Sequence, residues 1–301
     1  MCKKVSIIYV NYKTSRLVID SINSVKKFTK DTDYEIIVVD NNSGDNPREA
    51  ITEAHPDVIY IQSPENVGFG KANNLGMEYA TGDYIWFLNP DTILRNNSVK
   101  ILAGYLSENP KAGVAGGNLF QENGARNFSY SMQDFSPFLD FLSIFYMRRF
   151  PLKSPSSATF NKTGKPMNTV WILGADLMVK KSVLNKTGGF DPRFFLDYEE
   201  VDLCRRTRNA GYKIVSVPEA EIIHLEGKAP CISKTRFYYN QQSMYKYYAK
   251  VYGVNPVIAY DILRLKSALR ILMFSVMLNK RKVKYWKDKR AAQKKAFDEL
   301  H

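Results

Sequence analysis

The chain has 301 residues, 45% of them hydrophobic, with 43 Lys plus Arg against 30 Asp plus Glu, a formal charge of +13. That is the make-up of an ordinary globular protein with room for one large domain or two small ones, and its charge favours anionic partners such as nucleotides, lipid headgroups or nucleic acid. Cys2, Cys204 and Cys231 are too scattered for a disulfide framework or a thiolate metal site, which suits a reducing compartment.

The first apolar run, VSIIYVNY from Val5, is too short for a signal segment or a membrane span and reads as a strand. A helix follows, with Leu17, Ile22 and Val25 along one face. A second strand, YEIIVVDNNS, ends in turn residues at Asp40. DVIYIQS and DYIWFLNPDT repeat that shape, with a helical KANNLGMEYA between them. Alternating strands and helices predict an open, largely parallel α/β sheet, in which ligands bind beyond the carboxyl ends of the strands. Asn11, Asp40 and Asp91 all fall at such ends.

Between the third and fourth strands, NVGFGKANNLG places Gly68 and Gly70 in a spacing that imitates a dinucleotide fingerprint. Asn73 stands where the third glycine belongs, and the first strand–helix turn contains no glycine, so a nicotinamide dehydrogenase is a poor reading. What remains is a glycine-flanked loop before a helix, with Asn66, Lys71 and Asn73 available to a ligand phosphate or sugar. Asp40 is suited either to an Asx turn or to accepting hydrogen bonds from a base or ribose. Asp91 raises the possibility of a divalent ion, because hard cations take one or two carboxylates and fill the remaining positions with phosphate and water. His224, at the end of AEIIH, is either structural or a second ligand for that ion.

From Phe135 to Ser157 the chain turns aromatic, then basic, then rich in Pro and Ser; a surface loop and a core helix followed by a turn both fit. TVWILGADLMVKKSVL returns to strand-like composition. GGFDPRFFLDYEEVDLCRRTRNAGYKIVSVP reads as loop, helix, glycine-ended turn and strand. Asp197 and Glu200 match a capping box, and acids suit a first helical turn. That leaves Asp202 unexplained, in a stretch made apolar by Phe194, Phe195, Leu196 and Tyr198. A carboxylate there would be a competent general base. Toward the C-terminus, Ile258, Ile262, Leu265, Leu269, Leu272 and Val276 form an amphipathic stripe, followed by nine Lys or Arg and one acid between Lys280 and Lys295. The stripe either packs on the α/β core or lies in a membrane interface with the basic cluster on anionic headgroups.

Taken together, VSIIYVNYKT, VVDNNSGDN, ENVGFGKANNLGM, GDYIWFLNPDT, the stretch from Trp171 to Ile214 and AEIIHLEGKA resemble the family 2 glycosyltransferases, in their rhamnosyltransferase-like branch. The resemblance covers about the first 230 residues in order. It implies the GT-A fold for residues 1–230, a mostly parallel central sheet with flanking helices, and leaves 231–301 as a helical, basic extension that associates with membranes. It also implies that Asp40 contacts the base of a nucleotide sugar and that Asn66, Gly68 and Asn73 flank the donor. Asp91, in the place of the family's Asp-x-Asp motif, would reach Mg²⁺ or Mn²⁺ on the donor diphosphate, with Asn89 where the motif's first Asp often stands. Gly174 and Asp176 match a segment lining the acceptor and sugar pocket. Glu200 matches the base, with Glu199 and Asp202 as neighbouring candidates, and His224 matches a histidine that ligates metal in some members.

The implied activity is an inverting transfer from a UDP- or dTDP-linked sugar to a glycan acceptor carried on a polyprenyl diphosphate. The expected setting is the cytoplasmic face of the cell membrane, with the enzyme peripheral on anionic lipid and no nucleic-acid partner. A sugar nucleotidyltransferase would share the sheet but carry a glycine-rich phosphate loop after the first strand, which VNYKTSRL lacks. A basic adaptor for membrane or nucleic acid would use residues 280–295 and leave the N-terminal constellation idle.

Overall fold

The computed structural model describes residues 4–44, 46–145, 160–225 and 233–300. The chain divides into two compact units. The first comprises Met1–Gln133, Pro155–Pro192 and Glu199–Pro230; the second comprises Asp134–Ser154, Arg193–Tyr198 and Cys231–His301. Two short segments from within the 1–230 span thus belong with the C-terminal residues.

The first unit opens with β1 (Val5–Asn11), α1 (Ser15–Phe28), β2 (Tyr34–Asp40), α2 (Arg48–Ala54), β3 (Ile59–Gln62), α3 (Phe69–Met77), β4 (Tyr84–Leu88), β5 (Thr92–Leu94) and α4 (Ser98–Glu108). β6 (Ala112–Phe120) and β7 (Tyr130–Ser131) follow. α5 (Pro137–Phe145) lies in the second unit, and β8 (Met167–Thr169), β9 (Trp171–Ile172), β10 (Asp176–Lys180), α6 (Lys181–Thr187), α7 (Glu199–Asn209) and β11 (Lys213–His224) complete the first. Every residue of β1 and β4 is buried, which explains their unbroken apolar runs: each is covered on both faces. The face of α1 that meets the core is Val18, Ile22 and Val25, at i, i+4 and i+7, rather than the expected Leu17, which is half-buried.

The main sheet runs β3-β2-β1-β4-β10-β6-β11-β5, with β8 also pairing β11. β1, β2, β3 and β4 are parallel, while β10 is antiparallel to both its neighbours, so the sheet is mixed. The chain moves outward from β1 to β3 and then returns to the other side of β1 as β4. That reversal makes the carboxyl ends of β1 and β4 a topological switch point, where open α/β sheets leave a crevice. β11 is shared lengthwise: Ile214 to Ser216 pair with β8 and Ile222 to His224 with β5. Its register against β6 shifts between Ser216 and Glu221, across Pro218, which has no N–H to give to a ladder.

The opposite end of the sheet is tied shut. Glu35 accepts from Ser6 Oγ (2.5 Å), Thr81 N (2.7 Å) and Lys4 Nζ (2.7 Å), and Ser6 Oγ in turn accepts from Gly82 N (2.9 Å). Burial acts to raise the Glu35 pKa, but the bonds from Lys4, Ser6 and Thr81 outweigh it and hold the carboxyl at about 2. Because the folded pKa is depressed, this group stabilises the fold fully above the ordinary carboxylate range, and its contribution fades as pH falls toward 2. Glu35→Gln should flatten the fall of Tm between about pH 4.5 and pH 2, measured by thermal unfolding across that range. An acid limb identical to wild type would remove Glu35 from the account.

The second unit contains α5, α8 (Ser233–Tyr252), α9 (Pro256–Val276) and α10 (Lys280–Asp298). Of the aromatic-to-basic stretch, Pro137 to Phe145 is helical, and residues 146–157 lie outside those described. Asp140 of α5 accepts from Tyr248 Oη and Lys266 Nζ, both at 2.7 Å, joining α5, α8 and α9. Ser267 Oγ donates to Gln293 Oε1 at 2.7 Å in a buried contact between α9 and α10. The aromatics before α7 pair with α8: Phe195 stacks on Tyr239 at 4.2 Å and Tyr198 lies 5.5 Å from Tyr247. α9 buries Ala259, Leu263 and Ser267, whereas Ile258, Leu265, Leu269, Leu272 and Val276 stay exposed and Ile262 half-buried. The predicted stripe is therefore not a core-packing face. No helix among the described residues is long and apolar enough to cross a membrane.

Candidate active site at the sheet's switch point

Three strand ends stand in register at the open edge: Asn11 opposite Asp40, and Asp40 opposite Gln62. Asp40 is buried, and four donors converge on it. Oδ1 accepts from Asn11 Nδ2 (2.7 Å) and Ser43 Oγ (2.5 Å); Oδ2 accepts from Ser43 N (3.2 Å) and Gln62 Nε2 (2.9 Å). Asn11 Oδ1 accepts from Thr14 N (3.1 Å) and Thr14 Oγ1 (2.9 Å), fixing the start of α1. The Asx turn and the binding role considered for Asp40 are thus not exclusive. The carboxylate organises the turn, and exposed Gln62 is the one of its donors that reaches solvent.

The loop before α3 is ordered by Asn41. Its Oδ1 accepts from Val67 N (3.0 Å), and its Nδ2 donates to Asn66 Oδ1 (2.9 Å), which also accepts from Gly68 N (3.1 Å). Gly68 sits at φ +85, in the region that favours glycine. These bonds consume the N–H groups of Val67 and Gly68, and no side chain caps the start of α3, which leaves its first-turn N–H groups uncapped. Asn73 is buried and donates back to Phe69 O (3.0 Å), a role within the helix, while Lys71 is exposed.

After β4 the chain reaches Asn89 and Asp91. β11 ends beside it, with His224 in register with Thr92 and Leu225 N donating to Asp91 O at 2.8 Å. His224 Nε2 lies 3.4 Å from Asp91 Oδ1, both side chains being buried. Asn89 Oδ1 and His224 Nδ1 are buried without a hydrogen-bond partner. The paired carboxylate and imidazole, and the uncommitted amide oxygen two residues before Asp91, are the kinds of donor that suit Mg²⁺ or Mn²⁺. Among the described residues no group of three or more His, Cys, Asp or Glu gathers, so a cation here would draw its remaining ligands from substrate and water.

α7 begins at Glu199, and the two residues before it, Asp197 (φ +65) and Tyr198 (φ +73), are left-handed. The expected capping box is therefore not formed: the Asp197 carboxylate accepts from Asn240 Nδ2 at 3.0 Å instead. The three acids of α7 are sorted by their neighbours. Asp202 is buried against Arg206 Nε at 2.7 Å, and Arg206 also donates to the carbonyls of Thr187, Gly188 and Gly189. Glu199 is buried beside Gly70, where a Cβ would stand 3.5 Å from the Glu199 Cβ. Glu200 is half-buried beside Gly174, where an added Cβ would come within 3.5 to 3.7 Å of its Cβ, Cγ and Cδ. Gly174 and Glu200 are thus close neighbours, at ordinary van der Waals separation. Asp176 is fully buried, accepting from Trp86 Nε1 (2.7 Å) and Gly117 N (2.5 Å). Burial raises its pKa to about 6, against the lowering effect of those two bonds and of His224.

Several residues of this region carry no sequence signal of their own. Asn74 donates to Phe190 O (2.7 Å) and accepts from Phe190 N (2.8 Å), a two-point clamp between α3 and the loop leading to α7. Phe190 packs on Phe87 at 4.6 Å. Arg206, four residues after Asp202, was open to detection as a helical ion pair. Asn74→Ala leaves both backbone groups of buried Phe190 without that partner, at a cost of about 1–3 kcal/mol. It should lower the urea midpoint and weaken transfer together; an unchanged midpoint would show the clamp to be dispensable.

Comparison with known proteins gives three findings. The profile described as Glycosyl transferase family 2 matches residues 6–184. The chain is 29% identical to the rhamnosyltransferase WbbL of Escherichia coli K12 over 64% of its own length and 74% of that protein. It is 28% identical to the N-acetylglucosaminyl-diphospho-decaprenol L-rhamnosyltransferase of Mycobacterium tuberculosis H37Rv, over 63% of its own length and 66% of that protein. Among solved structures, a mannosyltransferase of Pyrobaculum calidifontis in complex with GDP-Man and Mn²⁺ matches 98% of this chain and 86% of its own, with a TM-score of 0.59 at 15% identity.

Proposed function

This chain belongs to glycosyl transferase family 2 and has the GT-A fold, and from that membership we propose that it transfers a hexose, rhamnose from dTDP-rhamnose or a UDP-linked sugar, to a hydroxyl of a lipid-linked glycan. The observation that carries the reading is the pairing of Asp91 with His224 at 3.4 Å beside the open switch-point edge. The rhamnosyltransferase relatives support the sugar, and the polyprenyl-linked acceptor in the mycobacterial relative's name supports the acceptor class.

In this reading the nucleotide lies across the ends of β1, β2 and β3, with Asp40 and Gln62 at the base and the uncapped start of α3 toward the diphosphate. Asp91 and His224 would hold a divalent cation, and the uncommitted Asn89 Oδ1 would offer a further oxygen. When bound, the cation neutralises charge on the departing diphosphate. Glu200, beside Gly174, takes the proton of the acceptor hydroxyl as that oxygen attacks the anomeric carbon. The bond from that carbon to the diphosphate oxygen breaks on the opposite face, so configuration inverts and the nucleoside diphosphate leaves with the electron pair. Asp202 serves by fixing Arg206 and the 187–189 loop. The reaction takes place at an anionic membrane surface on the cytoplasmic side, reached through the basic C-terminal segment.

The test is thermal unfolding with UDP, dTDP and GDP, each with and without Mn²⁺ or Mg²⁺, followed by transfer with the sugar of the best nucleotide. A ligand that binds only the folded state raises Tm by mass action. One nucleotide should stabilise in a cation-dependent way, and its sugar should be consumed when acceptor is added. Stabilisation by no nucleotide under any cation would overturn the donor site.

A further inference from the structure

The turn between α9 and α10 departs from what a water-facing surface normally carries. α9 closes in a Schellman arrangement, with Asn279 N donating to Phe274 O (2.9 Å) and Leu278 N to Ser275 O (3.0 Å). The left-handed residue of that arrangement is ordinarily glycine. Here it is Leu278, at φ +52, a conformation that bulky side chains rarely adopt. Leu278 is 86% exposed, Val276 76% and Leu272 62%, with Met277 exposed beside them. The chain therefore accepts backbone strain in order to present a large apolar side chain to solvent, and neither feature helps it fold.

The flanking chemistry is predominantly basic. Lys280, Arg281, Lys282, Lys284 and Lys287 are exposed on the first turns of α10. A groove of about 560 Å³ is lined by the apolar Phe274, Leu278 and Val283, by Ser275, by three lysines, Lys280, Lys284 and Lys287, and by a single acid, Asp288. A second copy of this chain would set like charge against like. A bilayer with anionic headgroups satisfies both halves at once, phosphates on the ammonium rim and hydrocarbon around the tip.

We propose that the α9–α10 turn is a wedge that inserts Leu272, Val276 and Leu278 into the interface of an anionic bilayer, with the α10 lysines on lipid phosphates. This rests on the membrane setting proposed above and narrows it from the basic segment in general to an apolar tip. The stripe along α9, left exposed by the packing of Ala259, Leu263 and Ser267, continues the inserted surface.

The test uses the full chain in flotation with phosphatidylcholine vesicles, with and without phosphatidylglycerol. Binding should require phosphatidylglycerol and weaken at high salt. Leu278→Gly fits the left-handed backbone better than leucine, so it should keep or raise Tm while weakening vesicle affinity by about tenfold, the worth of one buried leucine side chain. The pair Lys284→Glu and Lys287→Glu should abolish the preference for phosphatidylglycerol. Vesicle binding of Leu278→Gly at the wild-type level overturns the wedge, as does a concentration-dependent dimer in sedimentation with no vesicle binding. Nucleotide stabilisation of Tm is measured in parallel and should be the same in Leu278→Gly. Its absence from the wild-type chain would count against the transferase site while leaving the vesicle result to stand by itself.

Discussion

Asp91→Ala should abolish the cation-dependent part of nucleoside diphosphate binding and reduce sugar transfer by about a thousandfold, the several kcal/mol that charge neutralisation at a leaving diphosphate supplies. The physical ground is that the chain offers few alternatives. Asp91 and His224 are the ionisable groups that meet there, at 3.4 Å, and among the described residues no cluster of three metal-ligating side chains exists to compensate. His224→Ala should show the same dependence in weaker form, because a carboxylate contributes more than a neutral imidazole to a hard cation. Asn89→Asp gives the opposite arm: a second carboxylate should raise cation affinity and lower the Mn²⁺ concentration needed for half-maximal stabilisation. The measurement is Tm against Mn²⁺ at fixed nucleotide. Retained cation-dependent binding in Asp91→Ala would move the site elsewhere.

Glu200→Gln should leave nucleotide binding at the wild-type level and lower the rate of transfer by about 10²- to 10⁴-fold, the range of a general base. The amide keeps the shape beside Gly174, so folding should not change. Two companions discriminate among the acids of α7. Glu199→Gln changes a side chain packed near Gly70 and should affect the donor side more than the chemical step. Asp202→Asn removes the charged partner of Arg206, which keeps its bonds to the carbonyls of residues 187–189, and should destabilise by about 1–3 kcal/mol. If Glu200→Gln turns over normally and Glu199→Gln does not, the base is Glu199.

Much of the first unit is readable in sequence because β1 to β4 are parallel and β1 and β4 are covered on both faces, which forces continuous apolar runs that stop where solvent begins. Asn11, Asp40, Asn89 and Asp91 mark those stops, and the fold sets them along one edge. The helix starts were harder to read. Leu17 and Val18 are equally apolar, and only the direction from which the sheet approaches decides that Val18 is buried. The Asp197–Glu200 spacing reads as a cap, yet Asp197 and Tyr198 are left-handed and Asp197 bonds to α8, a partner 43 residues away. The antiparallel placement of β10 is invisible in TVWILGADLMVKK, since strand composition carries no direction. Long-range partners escape for the same reason. Asn74 meets Phe190 across 116 positions and Trp86 meets Asp176 across 90, and no local pattern records either bond. Periodicity marks the stripe on α9 but says nothing about whether its apolar side is covered.

In the donor site proposed above, the saturation of Asp40 decides which residue can be varied to alter donor choice. With four internal donors on its carboxylate, Asp40 is a keystone of the β1–β2 edge, and replacing it would loosen Asn11, Ser43 and the start of α1 before any change in base preference could be read. Gln62 is different: exposed, on a strand at the sheet's margin, and joined to Asp40 by a single 2.9 Å bond. A library for altered nucleotide use should therefore randomise Gln62 and hold Asp40 fixed, because only the former is free to vary without dismantling the edge it stands on.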